Sequence, residues 1–396
     1  MTPNTEHPPP SVRTLADCGA YWRGEHTGPV VSIVAEPTYR QMLDATAPDL
    51  DAVADAAVAC IRADLAAGDP FVLPAVYADF GTISTARLYG GKVLPPSDGG
   101  KVHIAPVVQR PDDLAGLRAC AFEESDFQLA LDLWRRVCDR LGTDQVFLRT
   151  PDFQGPMNTL ALVMNQEELL AGLYEAPAEI HAALDGITAT LIDYHRRLRR
   201  ELGGGRVIGN IWPYTVLPED LGASLTQDMM PLLSPDLYRE FEIPRLRRIG
   251  EAFGGLQIHC CGRYEQHLAG LKASGLPIRG LEFHHPFTPF KAIHEVFGDE
   301  IVYIPYLFGE CKDYPDYVAF ADDLMRQGSA RTRFWFAMAN GWVDADRLRQ
   351  VAAGGETPAT SPARRSVCAK AGSGGGTDGG EVVPALRAGT WGGQAT

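Results

Sequence analysis

The sequence has no long apolar run, few cysteines and no excess of positive charge. A membrane-spanning helix needs ~20 consecutive apolar residues, and no run of this chain approaches that length. Its 36 Lys and Arg residues are outnumbered by 50 Asp and Glu, which gives a net charge of −14. A protein that binds nucleic-acid phosphates needs a basic footprint, which this total does not contain. We therefore expect neither a nucleic acid nor a membrane as a partner.

The cysteine content and the first residues bear on where the protein works. Eight cysteines among 396 residues are too sparse for a disulfide scaffold. The opening MTPNTEHPPP has neither a basic start nor an apolar stretch, so no secretory signal is visible. We expect a cytoplasmic protein with mostly reduced thiols.

Both ends of the chain contain little that could be buried. Residues 1–10 include four prolines and predict a disordered arm. Residues 354–396 contain GSGGGTDGG and predict a disordered, Gly-rich tail. The expected domain organisation is one folded body over residues 11–353, flanked by these two segments.

Short β-branched or aromatic runs recur along this body, and helical patterns separate most of them. Eight such runs occur, at residues 30–35, 71–77, 145–148, 206–212, 256–260, 280–283, 301–307 and 333–337. Apolar strands separated by helices indicate an α/β fold with a parallel sheet covered by helices. Eight repeats predict a single (β/α)8 TIM barrel. A doubly wound open sheet is the alternative, and the absence of G-x-G-x-x-G after the early strands disfavours it.

The helical patterns carry clear boundary signals. Helices are predicted over residues 126–141, 177–202 and 234–253. Ser234 followed by Pro235 is a sound N-terminal signal, and Pro244 is expected to split or kink the last helix. Residues 103–109 predict a further strand in an inserted flap.

Polar side chains follow the predicted strands where each strand ends. The carboxyl ends of parallel barrel strands form one mouth, where catalysis takes place. The residues concerned are Glu36, Asp79, Asp152, Asn210, His259, Glu282, His284, Tyr306 and Asn340. Buried acids and imidazoles at a sheet end are unusual unless something there requires them. Any single one could equally be a capping or hydrogen-bonded structural residue.

The sharpest motif is His-x-Cys at His259 and Cys261. Side chains at i and i+2 of a strand point to the same side, so both can enter the mouth. A thiolate and an imidazole make a partial zinc site. A third ligand could come from Cys311, Glu282, His284 or Asp79, and ligand atoms around one zinc ion should lie within about 4 Å of each other. The alternative is a buried cysteine pair beside a hydrogen-bonded histidine.

Four stretches in this order resemble the uroporphyrinogen decarboxylase superfamily, which also contains zinc-dependent, corrinoid-linked methyltransferases. They lie at residues 77–93, 155–180, 234–249 and 258–262. The resemblance covers about residues 21–351 and implies a TIM barrel.

Of the adjacent His284 and His285, one should point away from the mouth and cap the neighbouring helix.

The resemblance to the decarboxylase is incomplete at its functional positions. That enzyme binds substrate carboxylates through two arginines of an N-terminal motif, where this chain offers Arg40 alone. Its pyrrole-contacting Asp corresponds to Asp79, whereas its Tyr and His fall at Val163 and Asn340. A mouth poor in arginine cannot neutralise the many carboxylates of a porphyrinogen. Decarboxylation of uroporphyrinogen is therefore not expected.

The resemblance to the methyltransferases implies a zinc site at His259 and Cys261. The later Cys of that group should lie near Asn340, where this chain has AMANG, so Cys311, Glu282 or His284 would complete the ligand set. Zinc would activate a thiol or a methyl donor's oxygen for exchange with a corrinoid on a partner protein.

The resemblance also suggests roles for the remaining strand-end residues. Asp79, Glu282 and His284 would act in catalysis or orient the ligands. Substrate contacts would come from Glu36, Asn210, Tyr306 and Asn340. The favoured function is zinc-assisted methyl transfer between a small substrate and a corrinoid carrier.

Two other functions stay open from the sequence. The first is a decarboxylase-like lyase that acts on a tetrapyrrole or a smaller carboxylate, with Asp79 and His284 as acid–base groups. The second is a non-catalytic barrel that binds a tetrapyrrole or a corrinoid. Barrels of this kind often pair, which makes a homodimer a candidate assembly.

Overall fold

The computed structural model describes residues 10–43, 48–94, 103–210, 212, 214–308 and 312–355. Its strands are β1 Val30–Val34, β2 Ala75–Tyr77, β3 Lys92–Leu94, β4 His103–Ala105, β5 Phe147–Thr150, β6 Val207–Asn210, β7 Ala223–Thr226, β8 Leu256–His259, β9 Ile278–His285, β10 Val302–Leu307 and β11 Arg333–Ala339. Its α-helices are α1 Pro10–Arg23, α2 Leu50–Ala67, α3 Ser84–Arg87, α4 Asp126–Leu141, α5 Pro156–Val163, α6 Gln166–Glu175, α7 Pro177–Glu201, α8 Pro235–Leu237, α9 Ile243–Phe253, α10 Leu268–Ala273, α11 Phe290–Phe297, α12 Tyr317–Gln327 and α13 Ala345–Ala352.

Nine of the strands run parallel and form a curled sheet in two hydrogen-bonded parts. The larger part has the order β1-β11-β10-β9-β8-β7, and the smaller has the order β2-β5-β6. A single parallel bridge between Gln154 and Thr226 links the end of β5 to β7. Among the described residues, no ladder joins β1 to β2 or β6 to β7. The α/β prediction with a parallel sheet is confirmed, and all eight predicted strands are present.

Strand β7 was not predicted from the sequence. It reads ASLT, and Leu225 is its one large apolar residue. All four residues are nevertheless buried, because β7 pairs with β8 along its whole length. Pairing within the sheet thus outweighs a weak local preference for strand.

The predicted helices are present. Helix α4 spans the predicted residues, and α7 ends one residue earlier than predicted. The third predicted helix is split, as expected near Pro244, into α8, a π-helical turn at Tyr238–Glu242, and α9. Ser234 caps α8 by accepting the N–H of Leu237 at 3.2 Å. Proline has no N–H to donate into a helix, and the π-helical turn ends two residues before Pro244.

The inserted flap and the chain ends differ from the sequence reading in detail. The flap is an antiparallel pair of β3 and β4, in which Val93 lies opposite Ile104. The strand predicted over residues 103–109 ends at Ala105. Helix α1 begins at Pro10, the last residue of the predicted disordered arm. The remainder of that arm, and the tail beyond residue 355, lie outside the described residues.

Helix α1 packs at the amino end of β11, which is the end opposite the mouth. Arg333, which begins β11, donates to the carbonyl oxygens of Tyr21 and Trp22 at 2.9 and 3.0 Å. Both rings also pack on Trp335, with ring centroids 5.5 and 5.7 Å away. The carboxyl ends of the strands therefore remain free of this helix. None of the helices described is both long and apolar enough to span a membrane.

Candidate metal centre

The His-x-Cys motif lies at the carboxyl end of β8. His259 is the last residue of that strand, and Cys261 follows two positions later. Nε2 of His259 lies 3.1 Å from Sγ of Cys261. The predicted approach of these two side chains is present, while Cys260 between them is buried in the hydrophobic core.

His284 supplies a third donor from the neighbouring strand β9. Its ring centroid lies 5.5 Å from that of His259. One donor atom from each of His259, Cys261 and His284 lies within 4.8 Å of the others, somewhat wider than the about 4 Å expected around a zinc ion. His284 was one of the candidate third ligands, and Cys311, another, lies outside the described residues. Three protein ligands with an open position are typical of catalytic zinc.

The carboxylate of Glu282 lies between the two imidazoles and is fully buried. Its Oε1 is 3.1 Å from Nε2 of His284, and its Oε2 is 2.8 Å from Nδ1 of His259. The contact between Nδ1 of His259 and Oε2 of Glu282 is within ion-pair distance, although the two atoms are not aligned for a hydrogen bond. These contacts leave Nε2 of His259 and Nδ1 of His284 as the nitrogens that can face a metal ion.

The donor set fits a metal ion in a further respect. Nδ1 of His284 is buried and has no hydrogen-bond partner among the described residues. An unsatisfied buried polar atom is costly, and a bound ion would satisfy it. Metal-binding histidines commonly donate their other N–H to a carboxylate, which fixes the ring orientation. Glu282 is placed to do this for both rings.

Electrostatics hold the centre in a charged form. Burial alone would lower the pKa of His259, but attraction to Glu282 and Cys261 outweighs it and raises this pKa well above 6.5. Burial would raise the pKa of Glu282, but His259 and His284 lower it to about 2. Burial raises the pKa of the Cys261 thiol, and His259 opposes that shift. A carboxylate beside two imidazoles is thus the stable arrangement.

Two further side chains, which were not among the predicted site residues, support this centre. Asp228 accepts the backbone N–H of Cys261 at 2.9 Å, and its Oδ1 lies 3.8 Å from Nε2 of His259. The indole N–H of Trp212 donates to Oε1 of Glu282 at 2.9 Å. Asp228 lies two residues after the end of β7. Had β7 been predicted from the sequence, Asp228 would have been identified as a further acid at a strand end.

Asp79 lies outside the donor set and beside Arg40. Its Oδ2 is 3.9 Å from Nη1 of Arg40, and its Oδ1 accepts the N–H of Gly81 at 2.9 Å. Burial raises the pKa of Asp79, while Gly81 and Arg40 act in the opposite direction. Of the candidate metal ligands, Asp79 is thus absent from the cluster found among the described residues.

A second acid, Asp152, lies deeper in the mouth. Its carboxylate accepts from the side-chain amide of Asn210 at 2.9 Å and from Gln154. Burial raises its pKa to about 6 against these hydrogen bonds, and Asp79 adds to the rise. Asn210, predicted to contact substrate, is therefore engaged with this acid.

The other predicted substrate residues occupy two positions. Tyr306 is buried and its ring lies 4.7 Å from Trp212 and 5.3 Å from His284. Glu36 and Asn340 are exposed at the ends of β1 and β11, where the backbone N–H of Asn340 donates to the carbonyl oxygen of Val34 at 2.7 Å. Tyr306 thus touches the centre, whereas the other two lie at the rim.

His285 points away from the centre, as predicted. The predicted helix cap is wrong: Nε2 of His285 instead pairs with Asp313 at 2.9 Å, and its ring packs on Tyr314 and Phe320. Asp313 lies in the loop before α12, not at a helix end.

The sequence matches the family model described as Uroporphyrinogen decarboxylase (URO-D) over residues 36–302. The chain belongs to the uroporphyrinogen decarboxylase family. The matched region includes β2 through the first residue of β10 and all three donor residues. The recognition made from four sequence stretches is thereby confirmed.

Solved structures with a similar fold include enzymes that are distant in sequence from this family member. A methyltransferase from Methanosarcina mazei superposes with a TM-score of 0.60 at 16% identity, covering 87% of this chain and 97% of that chain. A putative vitamin-B12 independent methionine synthase from Listeria monocytogenes gives a TM-score of 0.44 at 13% identity, covering 83% and 95%. At 16% identity, the likeness to the methyltransferase shows the fold alone. No curated protein matches the chain.

Proposed function

We propose that this uroporphyrinogen decarboxylase family protein is an enzyme for zinc-assisted methyl transfer between a small substrate and a corrinoid on a partner protein. The observation that carries the proposal is the convergence of His259, Cys261 and His284 to within 4.8 Å. One thiolate and two imidazoles suit zinc. The fold shared with a methyltransferase agrees with this proposal.

In this proposal each residue has a distinct task. His259 would bind zinc through Nε2, Cys261 through its sulfur and His284 through Nδ1. Bound zinc would supply a Lewis acid that activates a thiol or the oxygen of a methyl donor. Glu282 holds the two imidazoles in the required orientation, as its 2.8 and 3.1 Å contacts indicate.

The substrate would occupy the space between this centre and Asp79. Tyr306 would form its floor, Asn210 and Asp79 would orient it, and Glu36 and Asn340 would contact it at the rim. We further propose that the two parts of the sheet close into a TIM barrel, and that the folded body spans residues 11–353. A cytoplasmic location and a homodimer complete the proposal.

A second candidate is a decarboxylase-like lyase that acts on a small carboxylate. The pairing of Arg40 with Asp79 at 3.9 Å supports it, because one guanidinium can hold one substrate carboxylate beside a buried acid. This reaction would not require zinc. Metal content therefore separates the two candidates.

The test is zinc analysis of the full chain, purified without chelator. We expect one zinc ion per chain, with loss in H259A, C261S and H284A. His181→Ala and Cys60→Ser are matched controls, since His181 packs on Phe241 and Cys60 lies in α2, both outside the donor set. Zinc near zero in the unmodified protein, or equal zinc in all variants, would contradict the proposal.

A second measurement addresses the transfer itself. The zinc-loaded enzyme is mixed with a reduced free corrinoid and candidate methyl donors, and the corrinoid absorbance is followed. We expect a spectral change that depends on the enzyme and is lost in C261S. A zinc-loaded enzyme that instead releases CO2 from a small carboxylate would support the lyase.

A further inference from the structure

Six aromatic rings form a continuous row across the mouth, which we call the aromatic arc. Each ring centroid lies 4.7–6.3 Å from the next, in the order Trp342, Trp212, Tyr306, His284, Phe308, Phe287. The candidate metal ligand His284 is therefore a member of the arc. A molecule that lies on the arc would be next to the centre.

Four of the six rings of the arc are left partly uncovered by the rest of the described chain. Phe287 and Phe308 are 39% and 40% exposed, and Trp212 and Trp342 are half-buried. Adjacent exposed aromatic side chains commonly mark a binding site. The candidate metal ligand His284 lies in the middle of the arc, between Tyr306 and Phe308.

The indole of Trp212 has an additional property. Its N–H donates to the fully buried carboxylate of Glu282 at 2.9 Å. This bond fixes the ring, and donation to an anion increases the electron density of its faces. Indole is already the aromatic group that attracts cations most strongly. The arc is therefore suited to a positively charged ligand.

The charges around the arc favour the same ligand. Four acids follow the strand ends that form the mouth, and a fifth lies within the last half of β9: Glu36, Asp79, Asp152, Asp228 and Glu282. Against them stand Arg40, which already lies 3.9 Å from Asp79, and His259, which pairs with Glu282 at 2.8 Å. Arg149 is buried, and its guanidinium donates to the carbonyl oxygens of Thr215 and Tyr214. An excess of acids attracts a cation and repels an anion.

We propose that the aromatic arc binds a small methylated cation, a quaternary ammonium or a sulfonium, beside the metal centre. The inference rests on the proposed function, in which this cation is the methyl-bearing small substrate. Aromatic faces hold such ions because the ring quadrupole attracts a charge that needs no hydrogen bonds. The acids of the mouth would add long-range attraction without direct contact.

The test compares a cation with a neutral molecule of the same shape. The purified full chain is titrated calorimetrically with choline and with 3,3-dimethylbutan-1-ol, in which carbon replaces the charged nitrogen. Trimethylsulfonium is titrated separately to distinguish the two kinds of cation. We expect choline or trimethylsulfonium to bind at least about tenfold more tightly than the alcohol.

Variants locate the binding to the arc. Trp342→Leu should weaken cation binding at least about tenfold, whereas Trp342→Phe, which keeps a ring, should retain most of it. Tyr174→Leu is the matched control, because Tyr174 is 73% exposed on α6 and lies outside the arc. Thermal melting verifies that each variant is folded. Equal cation affinity in Trp342→Leu and in Tyr174→Leu would overturn the assignment.

The remaining outcomes are also decisive. Equal affinity for choline and the alcohol, or no binding of either cation, would overturn the inference. Tighter binding of methoxybenzene than of the cations would show that the arc stacks on neutral rings instead. Each titration is run with and without one equivalent of zinc. If the chain binds the cation but takes up no zinc, this inference stands and the proposed function is contradicted. If the chain takes up zinc but binds neither cation, the proposed function stands and this inference is overturned.

Discussion

Oε2 of Glu282 lies 2.8 Å from Nδ1 of His259, at the centre of a fully buried contact between strands β9 and β8. The other carboxylate oxygen faces His284 at 3.1 Å. One acid therefore sets the orientation of two rings, and both rings belong to the candidate metal centre. The ligand geometry depends on this single side chain.

Replacing Glu282 with Gln should weaken zinc binding about 10–100-fold. Gln has nearly the same shape, but one end of its amide is a donor, so it cannot accept from both imidazoles. Zinc affinity is measured by competition with a chromophoric chelator. Glu240→Gln is the control, because Glu240 is exposed and pairs with His181. An unchanged affinity in the Glu282 variant would show that the carboxylate does not position the ligands.

Gly155 should not tolerate a side chain. A Cβ at this position would lie 1.8 Å from Nε2 of Gln227 and 3.0 Å from the carbonyl oxygen of Thr226. Gln227 cannot move easily, because it is buried and donates to Glu242 at 2.8 Å. We expect Gly155→Ala to lower the free energy of unfolding by about 1–3 kcal/mol, as measured by urea denaturation.

The control for this substitution is Gly186→Ala. Gly186 lies within helix α7, and a Cβ there would meet nothing within 4 Å. Alanine is favoured over glycine inside a helix by about 0.5–1 kcal/mol, so this variant should be as stable as the parent or more so. Equal destabilisation of both variants would refute the steric argument.

The stability of the fold should decrease as pH rises from about 5 to about 8, in part because of Glu242. This side chain is fully buried, and burial raises its pKa from 4.5 to about 7 despite hydrogen bonds from Gln227 and Met157. Between these values the folded state holds a proton that the unfolded state releases. The contribution of Glu242 to the free energy of unfolding is therefore largest below about pH 4.5. It falls by about 3 kcal/mol as the pH rises through 7.

The measurement is chemical denaturation at about pH 5 and pH 8. Other buried acids contribute a slope of the same sign, since burial raises the pKa values of Asp64, Asp126 and Asp152 to about 6. Glu242→Gln should flatten the pH dependence, although it loses one hydrogen bond and is less stable overall. Glu240→Gln should keep the parent slope. A parent-like slope in the Glu242 variant would disprove the assignment.

Uroporphyrinogen should not be decarboxylated by this protein. The mouth has Arg40 beside Asp79, whereas Arg149 is engaged with backbone carbonyl oxygens. The position of the decarboxylase tyrosine is Val163, which is buried at the end of α5. Product is followed by porphyrin fluorescence after oxidation, with an authentic decarboxylase as positive control. Turnover comparable to that control would contradict this reading of the mouth.

Much of the architecture could be predicted from the sequence because apolar runs and helix signals are local. Ser234 and Pro244 mark the start of a helix and its interruption, and both are present. The alternation of side chains along a strand also brought His259 and Cys261 together. Strand β7 escaped prediction because its burial comes from pairing with β8 and not from its own composition.

The third donor could not be chosen from the sequence because it depends on strand register. Gln257 lies opposite Gly280 and Ile258 opposite Leu281, after an irregularity at Leu256. Continuing this register places His259 level with Glu282, and Cys261 level with His284. A shift of one residue would have turned both β9 side chains to the other face. The sequence gives the order of these four residues along the chain, but not the register that pairs β8 with β9.

The π-helical turn at Tyr238–Glu242 ends at Glu242, whose carboxylate accepts hydrogen bonds from Gln227 and Met157. Such a turn holds one residue more than an α-helix of equal length, and one residue of a helix corresponds to ~100° of rotation. Deleting a single amino acid there would restore regular winding and swing the carboxylate away from Gln227 and Met157. A one-codon change in length could thus disconnect α9 from the start of α5 and leave every donor residue unaltered.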